Sequence, residues 1–189
     1  MRLFVGIDLP PDVLEALASH VGAQRRTLPD AKWVGVEALH LTLCFIGETQ
    51  EAAMPRLDRC LSRAVRGQSR FHIGLANAGC FPKGKGAIRI LWVGVEAPEP
   101  VVDLQRRVST SLVDEGLMSP DERPFHPHVS IARCKRSWAR SAGERWEASL
   151  VGPVGSEFAV DEVVLFRSRL EPGGARYDRL RRFGFGESR

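Results

Sequence analysis

No apolar run in this sequence is long enough to cross a bilayer as a helix, which excludes a helical membrane protein. The opening Met1-Arg2-Leu3-Phe4-Val5-Gly6-Ile7-Asp8 lacks a basic stretch, a long apolar core and a small-residue cleavage site. It reads as a strand, and a cytoplasmic location is expected. Cys44, Cys60, Cys80 and Cys134 are scattered, with no C-x-x-C pair, which argues against a zinc knuckle or a dithiol redox motif. Reduced, mostly buried thiols are expected. Lysine occurs only at Lys32, Lys83, Lys85 and Lys135, so arginine carries the basic charge. Coiled-coil heptads are missing, and nothing points beyond a monomer.

What remains is an ordinary globular composition. A chain of 189 residues with 43% hydrophobic content forms one domain spanning 1–189, or two small lobes sharing a core. The net charge of +4 permits an anionic ligand without demanding a long nucleic-acid footprint.

Apolar spacing predicts strands over 2–8, 31–36, 39–46, 70–78, 87–95, 125–133, 158–168 and 175–183. It predicts helices over about 12–26, 52–65, 98–116 and 137–150. Helices mix with hairpins, so the class is α+β with mainly antiparallel sheet. The basic tip Lys83-Gly84-Lys85-Gly86 precedes a strand rather than a helix, so it reads as a hairpin loop, with a part in holding an anion as the alternative, and not as a nucleotide-binding phosphate loop. His20 and His72 read as ordinary helix and strand residues, and Trp138 and Trp146 as packing residues.

Two short stretches carry chemistry. In His40-Leu41-Thr42-Leu43, alternation puts His40 and Thr42 on one strand face and the leucines on the other. In Phe125-His126-Pro127-His128-Val129-Ser130-Ile131, it aligns His126, His128 and Ser130. One histidine–hydroxyl pair stands in each half of the chain. Two facing imidazoles make a general acid and a general base near neutral pH. Hydroxyls beside them can hold an anion between the rings. In-line attack at phosphorus with an alkoxide leaving group uses this arrangement, without needing a metal.

These stretches resemble the paired H-x-(T/S)-x signatures of the two-histidine phosphoesterase superfamily, and within it the RNA 2′,3′-cyclic phosphodiesterases, or 2′-5′ RNA ligases. The likeness extends to the opening strand through Pro10, the run 39–47, Arg89–Gly94, and the ending Ser168-Arg169-Leu170…Gly174-Ala175-Arg176-Tyr177. It implies a bilobal α+β fold, with two mainly antiparallel sheets and flanking helices related by a pseudo-twofold axis around a central cleft. It implies hydrolysis of RNA-terminal 2′,3′-cyclic phosphate to a 2′-phosphate, with no cofactor and no metal. His40 would be the proton donor and His128 the proton acceptor. Thr42, Ser130 and Arg133 would bind the substrate phosphate. Serine at 130, where threonine is common, keeps the hydroxyl but loses the methyl that restricts its rotamer.

Strict alternation turns Arg133 away from Ser130, so a bend or bulge is needed to bring it to a phosphate. It likewise turns Phe45 away from Thr42 and toward the core, with a place lining the cleft as the alternative. Three other readings stay open. His126, His128 and His40 would form a metal site, although no carboxylate lies beside them in sequence. The cleft would be a non-catalytic RNA-end binding module. Or the same site would run in reverse and join RNA ends through a 2′-5′ bond.

Overall fold

The computed structural model describes residues 1–83, 87–171 and 174–186. Its elements are β1 (Arg2–Asp8), α1 (Pro11–Gln24), β2 (Ala31–Trp33), β3 (His40–Glu48), α2 (Met54–Val65), β4 (Phe71–Phe81), β5 (Ile88–Val95), α3 (Glu99–Asp114), β6 (His128–Trp138), α4 (Arg140–Ser149), β7 (Pro153–Val160), β8 (Glu162–Glu171) and β9 (Gly174–Gly184). The α+β class stands.

In place of two separate sheets, hydrogen bonding joins the strands into one path, β7-β4-β5-β6-β3-β1-β8-β9, with β2 beside β6. Every pairing is antiparallel. The joint is narrow: β3 and β6 pair only at Leu41 opposite Val129. Both residues are fully buried. Four strands of the path lie on each side of this joint.

One face of the sheet is sealed by the helices. Val13 and Leu17 of α1, Leu57 and Leu61 of α2, Leu104 and Val108 of α3 and Trp146 of α4 share a single apolar cluster with Leu41 and Val129. Each helix contributes a stripe at three- and four-residue spacing, the geometry that lets a helix bury one side. Removing this much apolar surface from water is the main force holding the sheet. Trp138 and Trp146 lie inside, as expected. His20 instead finds the Ser149 hydroxyl at 3.2 Å, and His72 is exposed.

Three expectations change. The strand expected over 158–168 is two strands, because Phe158–Val160 pairs with β4 while Glu162–Ser168 pairs with β1 or β9. The chain turns at Asp161, and the adjacent Asp161-Glu162 is the polar break that marks it. The strand carrying His128 begins at that residue, so His126-Pro127 is a non-strand approach to it. It then runs on to Trp138, delaying the fourth helix to Arg140. The turn expected at Glu171-Pro172-Gly173-Gly174 falls partly outside the described residues, as do Gly84, Lys85 and Gly86 of the basic tip. All four cysteines are free, and Cys44, Cys60 and Cys80 are buried.

Candidate active site

Leu41 and Val129 point into the core, so their neighbours along each strand point to the opposite, open face. Carrying the antiparallel register one residue either way sets His40 across from Ser130 and Thr42 across from His128. The two histidines then occupy a diagonal, a spacing of roughly 7–8 Å between backbone positions. Among the described residues the two strands pair nowhere else with each other, and His40, Thr42, His128 and Ser130 are each half-buried.

The two strands share a further feature that alternation alone does not predict. Across β1, Asp8 is opposite His40, Gly6 opposite Thr42 and Phe4 opposite Phe45. Residues 4, 6 and 8 share a face, so His40, Thr42 and Phe45 do too. This requires one extra residue in β3, a bulge at Leu43. Leu43 and Cys44 are consequently both buried, and Phe45 is 62% exposed. Phe45 therefore stands on the open face, correcting its expected place in the core. Across β5, Gly94 is opposite His128, Trp92 opposite Ser130 and Ile90 opposite Arg133. The matching bulge at Ile131 buries Ile131 and Ala132 in succession and turns Arg133 to the face of His128 and Ser130.

Each imidazole is pinned by its own backbone. His40 Nδ1–H donates to the Ala38 carbonyl at 2.8 Å, and His128 Nδ1–H donates to the His126 carbonyl at 2.6 Å. A carbonyl only accepts, so both rings carry their proton on Nδ1 and present a bare Nε2. The Thr42 hydroxyl donates to His40 Nε2 at 3.0 Å. Ser130 makes no equivalent bond to His128 Nε2 among the described residues.

Their surroundings differ. The His40 ring lies against Phe4 at 4.8 Å, Tyr177 edge-on at 4.9 Å and Phe166 at 5.4 Å. Phe4, Val164 and Phe166 form a small apolar cluster of their own, with Tyr177 packed on it. Gly6 is required there, since a Cβ would sit 2.7 Å from the Leu41 carbonyl oxygen. Burial in this setting pushes the His40 pKa down to about 4. The Ala38 bond and the charge of Asp8 oppose that shift, and Arg179 and His128 add to it. Asp8 is clasped by Arg179 at 2.7 and 3.0 Å and by Arg182 at 2.9 Å. His128 is bordered by Phe81 at 5.1 Å, Trp92 at 6.1 Å and His126 at 6.3 Å. Its pKa is also lowered by burial, with the His126 carbonyl opposing.

The structure thus gathers His40, Thr42, His128, Ser130 and Arg133 on one face and brings His126 alongside. Sequence reasoning missed Phe4, Asp8, Trp92, Phe166, Tyr177 and Arg179. The two-residue spacing of Phe4, Gly6 and Asp8 on the first strand was the available signal for three positions of that wall. The others depend on which strands become neighbours. Among the described residues, no three His, Cys, Asp or Glu side chains are grouped as a metal would need.

Such a face offers two basic nitrogens, two hydroxyls and a guanidinium to a single anion. The 2′-5′ RNA ligase superfamily model matches residues 10–171. An RNA 2′,3′-cyclic phosphodiesterase of Methanothermobacter thermautotrophicus is 34% identical over 94% of this chain and 95% of its own length. One from Thermus thermophilus is 34% identical over 97% and 89%. Among solved structures, TT0787 of Thermus thermophilus superposes with a TM-score of 0.78, at 30% identity and full coverage of both chains. Escherichia coli LigT complexed with 3′-AMP gives 0.75 at 27% identity over 97% of each.

Proposed function

Because the chain belongs to the 2′-5′ RNA ligase superfamily, we propose that it hydrolyses RNA-terminal 2′,3′-cyclic phosphates to 2′-phosphomonoesters by two-histidine acid–base catalysis, with no metal. The observation that carries this is the pair of imidazoles, each pinned through Nδ1 and each presenting Nε2 to one open face. The four-plus-four strand path about the Leu41–Val129 joint supports reading the molecule as two lobes about a pseudo-twofold axis with the cleft between them.

His128 acts as base. Its Nε2 has no hydroxyl bound to it, so it is free to take a proton from water. The water oxygen bonds to phosphorus as the bond to the ribose 3′ oxygen breaks. His40 delivers a proton from Nε2 to that leaving oxygen, and the phosphate stays on the 2′ oxygen. His40 is unprotonated in the empty site at neutral pH, and the negative phosphate placed beside it favours its charged form. Once His40 Nε2 carries a proton, Thr42 no longer donates to it and turns its hydroxyl toward the phosphate. Ser130 and Arg133 bind the remaining non-bridging oxygens, with the guanidinium suited to two of them at once. Run backwards, acid and base exchange roles and the same site joins RNA ends 2′-5′. Water greatly outnumbers RNA ends, so hydrolysis dominates. The protein acts as a cytoplasmic monomer on RNA ends or nucleotides bearing the cyclic ester.

The test is an RNA oligonucleotide ending in 2′,3′-cyclic phosphate, incubated with chelator, with the product's phosphate position mapped. Wild type should yield the 2′-phosphate. His40→Ala and His128→Ala should each lose about 10²–10⁴-fold in kcat. Loss of turnover on chelation would replace this mechanism with a metal-dependent one. Tight binding without turnover, indifferent to either histidine, would make the cleft a binding module.

A further inference from the structure

Beside His128 lies a cluster that the hydrolytic step does not use. Trp92 faces Ser130 across β5 and β6 and is only 8% exposed. Its ring lies flat over Gly79, where a Cβ would come within 2.1–2.6 Å of three ring atoms. The His126 ring meets it edge-on at 4.8 Å. Trp92 Nε1 and His126 Nε2 are both buried and have no hydrogen-bond partner among the described residues. A buried nitrogen left in that state is unfavourable, so two together mark a place where a polar atom belongs. The Lys83 ammonium sits 5.9 Å from the indole centroid and joins no ion pair among the described residues. Burial lowers the His126 pKa, and the charge of Lys83 and the neighbouring His128 ring lower it further.

Indole N–H and ammonium groups only donate, and an imidazole donates through Nε2 once protonated or in its other tautomer. A group that meets all three must be rich in acceptor oxygens and negatively charged. We propose that Lys83, Trp92 and His126 form a second anion subsite, which takes the phosphate on the 5′ side of the terminal nucleoside. This identification rests on the hydrolytic reading above. An RNA end whose 2′ and 3′ oxygens are closed in the cyclic ester has its next phosphate only on the 5′ side. The His126 and His128 rings lie 6.3 Å apart, so the subsite adjoins the place where His128 meets the cyclic ester.

The subsite is tested with two mononucleotide substrates, a nucleoside 2′,3′-cyclic phosphate with a 5′-hydroxyl and the same compound with a 5′-phosphate. Wild type should show a KM about tenfold lower for the 5′-phosphorylated form, the scale of one or two charge-assisted hydrogen bonds. Lys83→Gln should bring the two substrates together, and Trp92→Phe should narrow the gap. Lys83 lies on the surface, so its replacement leaves the fold in place if Trp92→Phe fails to fold. Equal KM values in wild type, or a preference unchanged in Lys83→Gln, would overturn the subsite. In parallel, calorimetric binding of a nucleoside 3′,5′-bisphosphate is compared with that of the 3′-monophosphate. If neither cyclic substrate turns over, the hydrolytic reading fails. The bisphosphate preference and its loss in Lys83→Gln then decide the subsite by themselves.

Discussion

His40 and His128 make the same backbone bond, yet their surroundings differ, which supports their proposed roles as proton donor and acceptor. Three aromatic rings desolvate His40, and its pKa falls to about 4. His128 is also lowered from the ordinary 6.5. If His40 must be protonated and His128 neutral, both requirements in the free enzyme lie below pH 6.5. Above that pH the fraction with a proton on His40 falls tenfold per unit, while His128 is already neutral. The profile of kcat/KM, which reports the free enzyme, should therefore drop about tenfold between pH 7 and pH 8. The basic limb of kcat should lie at higher pH, because bound phosphate raises His40. A kcat/KM that stays flat through pH 8 would remove His40 from the donor role.

The bulged strand is the element that builds the site. His40-Leu41-Thr42-Leu43-Cys44-Phe45 and His128-Val129-Ser130-Ile131-Ala132-Arg133 have the same succession of burial, because each strand gains one residue after its hydroxyl. Period-two alternation is broken at that point, and the side chains that follow it directly change face; each strand shifts register a second time further on. Leu43→Ala is expected to lower stability by about 2–5 kcal/mol, the cost of a cavity at a buried leucine. Phe45→Ala, although it removes a larger ring, should change stability by about 0.5 kcal/mol or less, as at other exposed positions. Denaturant unfolding of the two variants measures this, and the reverse order would mean that the strand is not bulged in solution. The exposed Phe45 ring, 5.9 Å from Phe4, then remains as a flat apolar surface on the open face of the sheet.

At the scale of the molecule, the two halves of the sheet meet through one residue pair among the described residues, and the proposed catalytic diagonal crosses it. Leu41 and Val129 are buried beneath the His40–His128 diagonal. Leu41→Ala should leave a folded protein that is about 2–5 kcal/mol less stable. It should also lower kcat by about 10²-fold, since a displacement near 1 Å is enough to misalign acid, phosphorus and base. Circular dichroism and turnover of the cyclic-phosphate oligonucleotide read the two effects separately. Unchanged kcat in a destabilised variant would show that the joint does not set the histidine spacing.

The element order up to the fourth helix and both histidine–hydroxyl pairs were legible in the sequence, because apolar spacing and short motifs are local properties of a chain. Even the acidic break at Asp161-Glu162 was visible, although two successive strands there read as one. The side on which Phe45 and Arg133 emerge was not legible. A bulge is defined by the partner strand, and no local pattern of Leu43-Cys44 or Ile131-Ala132 reveals where one residue will face two. The aromatic wall around His40 was equally hidden, since Phe4, Phe166 and Tyr177 are far apart in the chain. They become neighbours only when β1 pairs with β8 and β8 with β9. Sequence alone determined which groups are proposed to do the chemistry, because imidazoles and hydroxyls carry their reactivity with them. Tertiary structure decided which nitrogen each ring presents, how strongly each holds a proton and which charges surround it, because burial and hydrogen-bond partners exist only once distant strands have met.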